Sequence, residues 1–188
     1  MKHLIVTLML LLVSPCLIGQ SYQFRGLEWG ASREKVKQTE KARFVIEKDN
    51  YLQYRSVLGD YDAELYYYFG LSNRLVGSRY VIWNRFTDPQ KYFDEYDFFA
   101  SMLTEKYGKP IKGSVLNPVV VPEDKSLYPA LLSKGEFSQE TVWETPETTV
   151  KLTMTANSDG VMLSIDYLSR QEHQRNLAQK REMLLKDL

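Results

Sequence analysis

Between residues 88 and 110 the apolar positions recur at helical spacing. Tyr92, Tyr96, Phe99, Leu103 and Tyr107 follow one another at steps of four, three, four and four, which places them on one helical face. Phe93, Ala100 and Met102 widen that face, while Asp94, Glu95, Asp97 and Glu105 lie mostly off it. Asp88 suits the N-cap, and Pro89 fits the first turn, where a missing N–H costs nothing. Gly108 can take the left-handed stop position, and Pro110 prevents the helix from resuming. A helix with this much aromatic surface on one side needs a sheet or another helix to cover.

Elsewhere the period is two. Over 61–69, Ala63, Leu65, Tyr67 and Phe69 share one face and Asp62, Glu64, Tyr66 and Tyr68 the other. A turn at 71–73 leads into a returning strand over 75–83. The same pattern appears over 148–156, with Val150, Leu152, Met154 and Ala156 inward, then a turn at 157–160. Val161, Leu163, Ile165 and Tyr167 form the inward face of the strand that follows. Residues 43–47 and 51–58 read as strands with looser periodicity, and 137–143 as another. Ser32 caps a short predicted helix over 33–39, with Glu34 in its first turn and Leu27 or Trp29 packing back on Val36.

These elements predict an α+β protein with helices on one face of an antiparallel meander sheet. The hairpins at 64–80 and 151–167 look alike, and each follows a capped helix. The chain therefore reads as two tandem helix-plus-meander units, 26–84 and 88–169, within one domain over 21–169. Within the second unit, 111–135 reads as a long irregular segment, because four of the seven prolines (Pro110, Pro118, Pro122, Pro129) lie in it or at its edge. Val119, Val120 and Val121 could form only an edge strand there. Residues 170–188 are expected to form a polar C-terminal helix. Leu177, Leu184 and Leu188 make a thin apolar stripe on it, with Met183 and Leu185 beside it.

The first 20 residues fall outside this pattern. Lys2 and His3 precede an apolar run over 4–13, and Pro15 breaks it before the small residue Gly19. That is the layout of a secretory signal peptide, and the run is short of the roughly 20 apolar residues that a membrane span needs. The expected location is exported, periplasmic or associated with a bacterial cell envelope. Cys16 follows Val13, Ser14 and Pro15, and a proline directly before the cysteine departs from a lipoprotein signal, so lipid anchoring is disfavoured. Once the signal is removed, the mature chain has no cysteine for a disulfide or thiol chemistry.

Charge is balanced, with 24 basic and 24 acidic residues, so no basic excess points to nucleic acid or an anionic membrane surface. Histidine occurs only at His3 and His173, outside the predicted core, which removes Ser-His and Cys-His catalysis and the usual zinc sites from consideration. No phosphate-cradling glycine loop, dinucleotide fingerprint or nucleophile-elbow motif is present, so no cofactor and no metal are expected.

Two chemistries remain. The carboxylates Asp60, Asp62 and Glu64, and separately Asp94, Glu95 and Asp97, could serve a carboxylate-dependent hydrolase acting on glycans, although solvated outer faces account for them more simply. The thirteen tyrosines offer the other. Tyr66 and Tyr68 fall on the strand face opposite Leu65, Tyr67 and Phe69, and Tyr54 joins them if the neighbouring strand pairs suitably. Tyr54, Tyr66 and Tyr68 are therefore the candidate partner-binding residues, together with the 113–133 loop, unless the tail helix or the proline-rich segment covers them. The leading expectation is a non-enzymatic binding module with an envelope protein as partner.

The run Leu27-Glu-Trp-Gly-Ala-Ser-Arg-Glu-Lys-Val36 and the helix end Leu103-Thr-Glu-Lys-Tyr-Gly-Lys-Pro110 carry a family resemblance. They resemble the β-lactamase-inhibitor-protein-like group of exported bacterial proteins, which includes a small outer-membrane assembly lipoprotein. The resemblance implies helices on one face of an antiparallel sheet and function through protein binding. The disulfides of the inhibitor are missing here, and no binding residue of the group has a counterpart in these motifs.

Overall fold

The computed structural model describes residues 23–83, 85–117 and 122–187. The predicted signal segment, Cys16 and the valine run at 119–121 lie outside the described residues.

Ser32 opens helix α1 (Arg33–Thr39), its hydroxyl accepting from the Lys35 N–H at 3.2 Å. Four strands follow as hairpins: β1 (Arg43–Lys48), β2 (Tyr51–Leu58), β3 (Tyr61–Phe69) and β4 (Leu75–Ile82). Helix α2 (Gln90–Tyr107) comes next, and the Asp88 carboxylate accepts from the Gln90 N–H at 2.9 Å in its first turn. Then come β5 (Lys112–Asn117), a 3₁₀ turn (Lys125–Leu127), α3 (Tyr128–Ser133), β6 (Ser138–Glu144), β7 (Thr148–Asn157), β8 (Gly160–Ser169) and α4 (Arg170–Asp187). The segment read as irregular over 111–135 thus contains a strand and two short helical pieces. Its register on β6 makes β5 an edge strand, the position that nearby prolines allow.

All eight strands form one antiparallel sheet in the order β1-β2-β3-β4-β8-β7-β6-β5. The first half is one helix and four strands; the second has α2 and β5, then a 3₁₀ turn and α3, then β6–β8, and β4 and β8 pair at the centre of the sheet. Gly77 sits at that seam because an added Cβ would lie 2.9 Å from both the Tyr167 carbonyl oxygen and the Leu168 side chain.

Strand alternation sends Leu65, Tyr67, Leu152, Met154, Leu163 and Ile165 to one face, where the helices cover them. Tyr92, Tyr96, Phe99 and Leu103 of α2 are buried there as the spacing predicts, and Tyr107 is half-buried. Met102 is a correction: it is 49% exposed instead of adding to the buried face. The Tyr96 and Thr141 hydroxyls bond at 2.7 Å, and the fully buried Trp143 donates its indole N–H to the Thr104 hydroxyl at 3.3 Å. On this inner face a buried carboxylate, Glu40, closes α1. It accepts two bonds from the Arg25 guanidinium at 2.8 Å each, one from the Tyr67 hydroxyl, and the N–H groups of Lys41 and Ala42. Arg25 also reaches the Tyr80 hydroxyl at 3.0 Å.

Helix α4 leaves from the end of β8. The Ser169 hydroxyl accepts from the Glu172 N–H at 3.1 Å, and the buried Glu172 carboxylate takes Arg175 at 2.5 Å. Asn176 accepts from the Leu71 N–H in the β3–β4 turn. Beyond that anchor, Leu177, Met183, Leu184 and Leu185 are about half exposed or more. No helix among the described residues is long and apolar enough to cross a membrane.

Candidate functional site

The sheet face opposite the helices carries the other half of each strand alternation. Register sets its rows: Tyr51 opposes Tyr68 and Gln53 opposes Tyr66, while Tyr66, Arg79, Asp166 and Lys151 form one line across β3, β4, β8 and β7. Tyr66 and Tyr68 project from this face, half-buried, as expected. Tyr54 does not join them. It pairs with Leu65 on the inward phase, is 3% exposed and packs edge-on against Tyr67 at 5.7 Å. The residue of β2 that completes the cluster is Tyr51, which the loose periodicity of 51–58 did not single out.

The three rings form a contiguous patch. Tyr66 and Tyr68 lie 6.0 Å apart with planes 6° from parallel, and Tyr51 meets their edges at 5.6 and 6.3 Å. The Arg79 guanidinium is 5.9 Å from the Tyr68 ring centre, within reach of a cation–π attraction. The Tyr66 hydroxyl donates to Glu64 at 2.6 Å. Burial, and then this bond, push the Tyr66 phenol well above its ordinary value, and burial also raises Tyr68. Both therefore stay neutral phenols under physiological conditions.

Beside the rings, Arg79 donates through Nε to Asp166 Oδ1 at 2.5 Å. Asp166 is only 6% exposed, and its Oδ2 has no hydrogen-bond partner, as is also true of the Thr153 hydroxyl. A buried acceptor without a donor costs free energy. The charge row continues as Lys151 to Glu140 at 3.2 Å and Lys112 to Glu140 at 3.5 Å. An aromatic patch next to alternating charges is suited to gripping another protein surface.

In the 113–133 segment, the described α3 side chains do not extend this patch. Leu132 of α3 is fully buried in the core, and Tyr128 packs with Phe93 of α2 against Phe137 on the helical face. The two carboxylate groups are also separated. Asp62 and Glu64 lie on the open face, whereas Asp94, Glu95 and Asp97 ride on α2 across the sheet. Glu95 accepts from the Tyr61 hydroxyl at 2.5 Å, and this bond leads in pushing that phenol up to about 12. The perturbed carboxylates, Glu34, Glu40, Glu47 and Asp124, are all held more ionised, the opposite of the protonated acid that glycoside cleavage requires. Among the described residues no group of three metal-ligating side chains converges, and His173 is exposed on α4. No protein-family model, curated protein or solved structure matches this chain.

Proposed function

We propose that this chain is a non-enzymatic binding module of the bacterial cell envelope that grips a protein partner with the open face of its sheet. One observation carries the reading. The Tyr51–Tyr66–Tyr68 cluster is half-exposed and stands beside the Arg79 guanidinium and a row of alternating charges. The exported location rests on the signal-like layout of residues 1–20. The helices gather on one face of the sheet, which leaves the other for recognition. A leading helix and four strands in each half, with a 3₁₀ turn and α3 added in the second, support taking the two halves as tandem copies.

The test is a photo-crosslinking amino acid placed at Gln53, in the row of Tyr66, and for comparison at Lys91 on α2. In envelope extract, the Gln53 position is expected to capture a discrete protein band, and the Lys91 position is not. The band should vanish in a Tyr66→Ala/Tyr68→Ala background whose circular dichroism is unchanged. A band that survives the double substitution would refute the assignment.

A further inference from the structure

We propose that the projecting half of α4 from one copy seats in a groove between α2 and the β2–β3 turn of a second copy, joining chains head to tail. The groove holds ≈ 650 Å³, has Leu58, Tyr61, Phe98 and Met102 on its walls and reaches Ile165 at its floor. Phe98 and Met102 are 50% and 49% exposed, which is unusual for two large apolar neighbours on one helix. The rim is acidic: Asp60 and Glu105 have no salt bridge among the described residues, and Lys106 lies over the Tyr107 ring.

Helix α4 presents the matching surface. Leu177 and Leu184 lie two turns apart on one exposed face with Leu185 beside them, and Lys180 and Arg181 occupy the turn between. These two cations have no salt bridge among the described residues, whereas the neighbouring Glu182 is taken by Lys186 at 2.9 Å. Two free cations set among exposed leucines thus match two free carboxylates beside an apolar groove. The lengths match as well, since Leu177 to Leu184 and Phe98 to Glu105 each span about 10.5 Å of helix.

In its own chain α4 does not fill this groove: it is anchored at Leu71 in the β3–β4 turn, and Leu177, Leu184 and Leu185 stay exposed, as do Phe98 and Met102. The occupant is therefore a second copy. The contact is heterologous, so it propagates into chains or closes into rings. It also leaves the tyrosine face free, so its success or failure is separate from the proposed function.

Sedimentation velocity of the purified protein tests this. The average mass is expected to grow with concentration. Leu184→Asp and Met102→Asp, both at exposed positions, should each weaken association at least about tenfold with unchanged circular dichroism. An equimolar mixture of the two variants should form a one-to-one dimer and stop there, because one supplies the only intact helix and the other the only intact groove. Glu105→Lys should weaken assembly, and Arg181→Glu in the same chain should restore it. A protein monomeric at every concentration would overturn the proposal. So would a mixture that stays monomeric, oligomers that persist in both variants, or native mass spectrometry showing a monomer with a small apolar molecule in the groove.

Discussion

Replacing Glu40 with Gln probes the buried charge cluster that holds the strand bearing the tyrosines. Glu40 Oε2 bonds the Tyr67 hydroxyl, and Tyr67 lies between Tyr66 and Tyr68 on β3. Burial pushes the Glu40 carboxyl up, but the bonds from Arg25, Tyr67 and the Ala42 N–H outweigh it and bring the value from 4.5 down to about 2. Since each unit corresponds to about 1.4 kcal/mol, the ionised carboxylate contributes about 3 kcal/mol of folding stability. The folded value is depressed, so this contribution is complete above the unfolded value of 4.5 and is lost as pH falls toward 2. Gln keeps the shape and one acceptor but leaves the Arg25 cation without its anion. Urea denaturation should therefore find the variant about 2–3 kcal/mol less stable at pH 7, with the gap to wild type closing through the acid range. Gln does not titrate, so the pH dependence of the difference isolates this one group. A gap that is constant with pH, or below about 0.5 kcal/mol at pH 7, would refute the reasoning.

Tyr66→Ala with Tyr68→Ala should cost about 1–2 kcal/mol in chemical denaturation, from lost ring pairs, while weakening partner capture at least about tenfold. Collapse of the fold instead would show that these rings serve the core. Trp143→Ala empties a fully buried site and its bond to Thr104, and a thermal melt should register about 3–5 kcal/mol. Gly77→Ala pushes a methyl against the β8 backbone at the central seam, and about 1–3 kcal/mol of lost stability is expected in urea.

Much of the architecture is visible in the chain because one-sided burial leaves a local signature. The period-two runs of β3 and β7 and the aromatic stripe of α2 have one face in the core and one toward solvent, so pattern and structure agree; β8 keeps its inward set, although Ser164 and Asp166 on its other phase are buried too. Where a strand carries apolar groups in both phases, the pattern is silent. β2 offers Tyr51 on one phase and Leu52 and Tyr54 on the other, and only its register with β3 sends Tyr54 inward. The proline-rich stretch hides β5 and α3 for a related reason: Lys-Gly-Ser-Val-Leu-Asn on a sheet edge has no alternation to display. The Arg25–Glu40 and Arg79–Asp166 pairs join positions far apart in the chain, so no local spacing announces them.

The central seam sets the order in which this molecule can be completed. β4 belongs to the first half and its neighbour β8 is the last strand, so the middle of the sheet waits for nearly the whole polypeptide. Closing the sheet therefore joins residues 75–82 to 160–169, the widest separation along the chain of any strand pair in the described sheet.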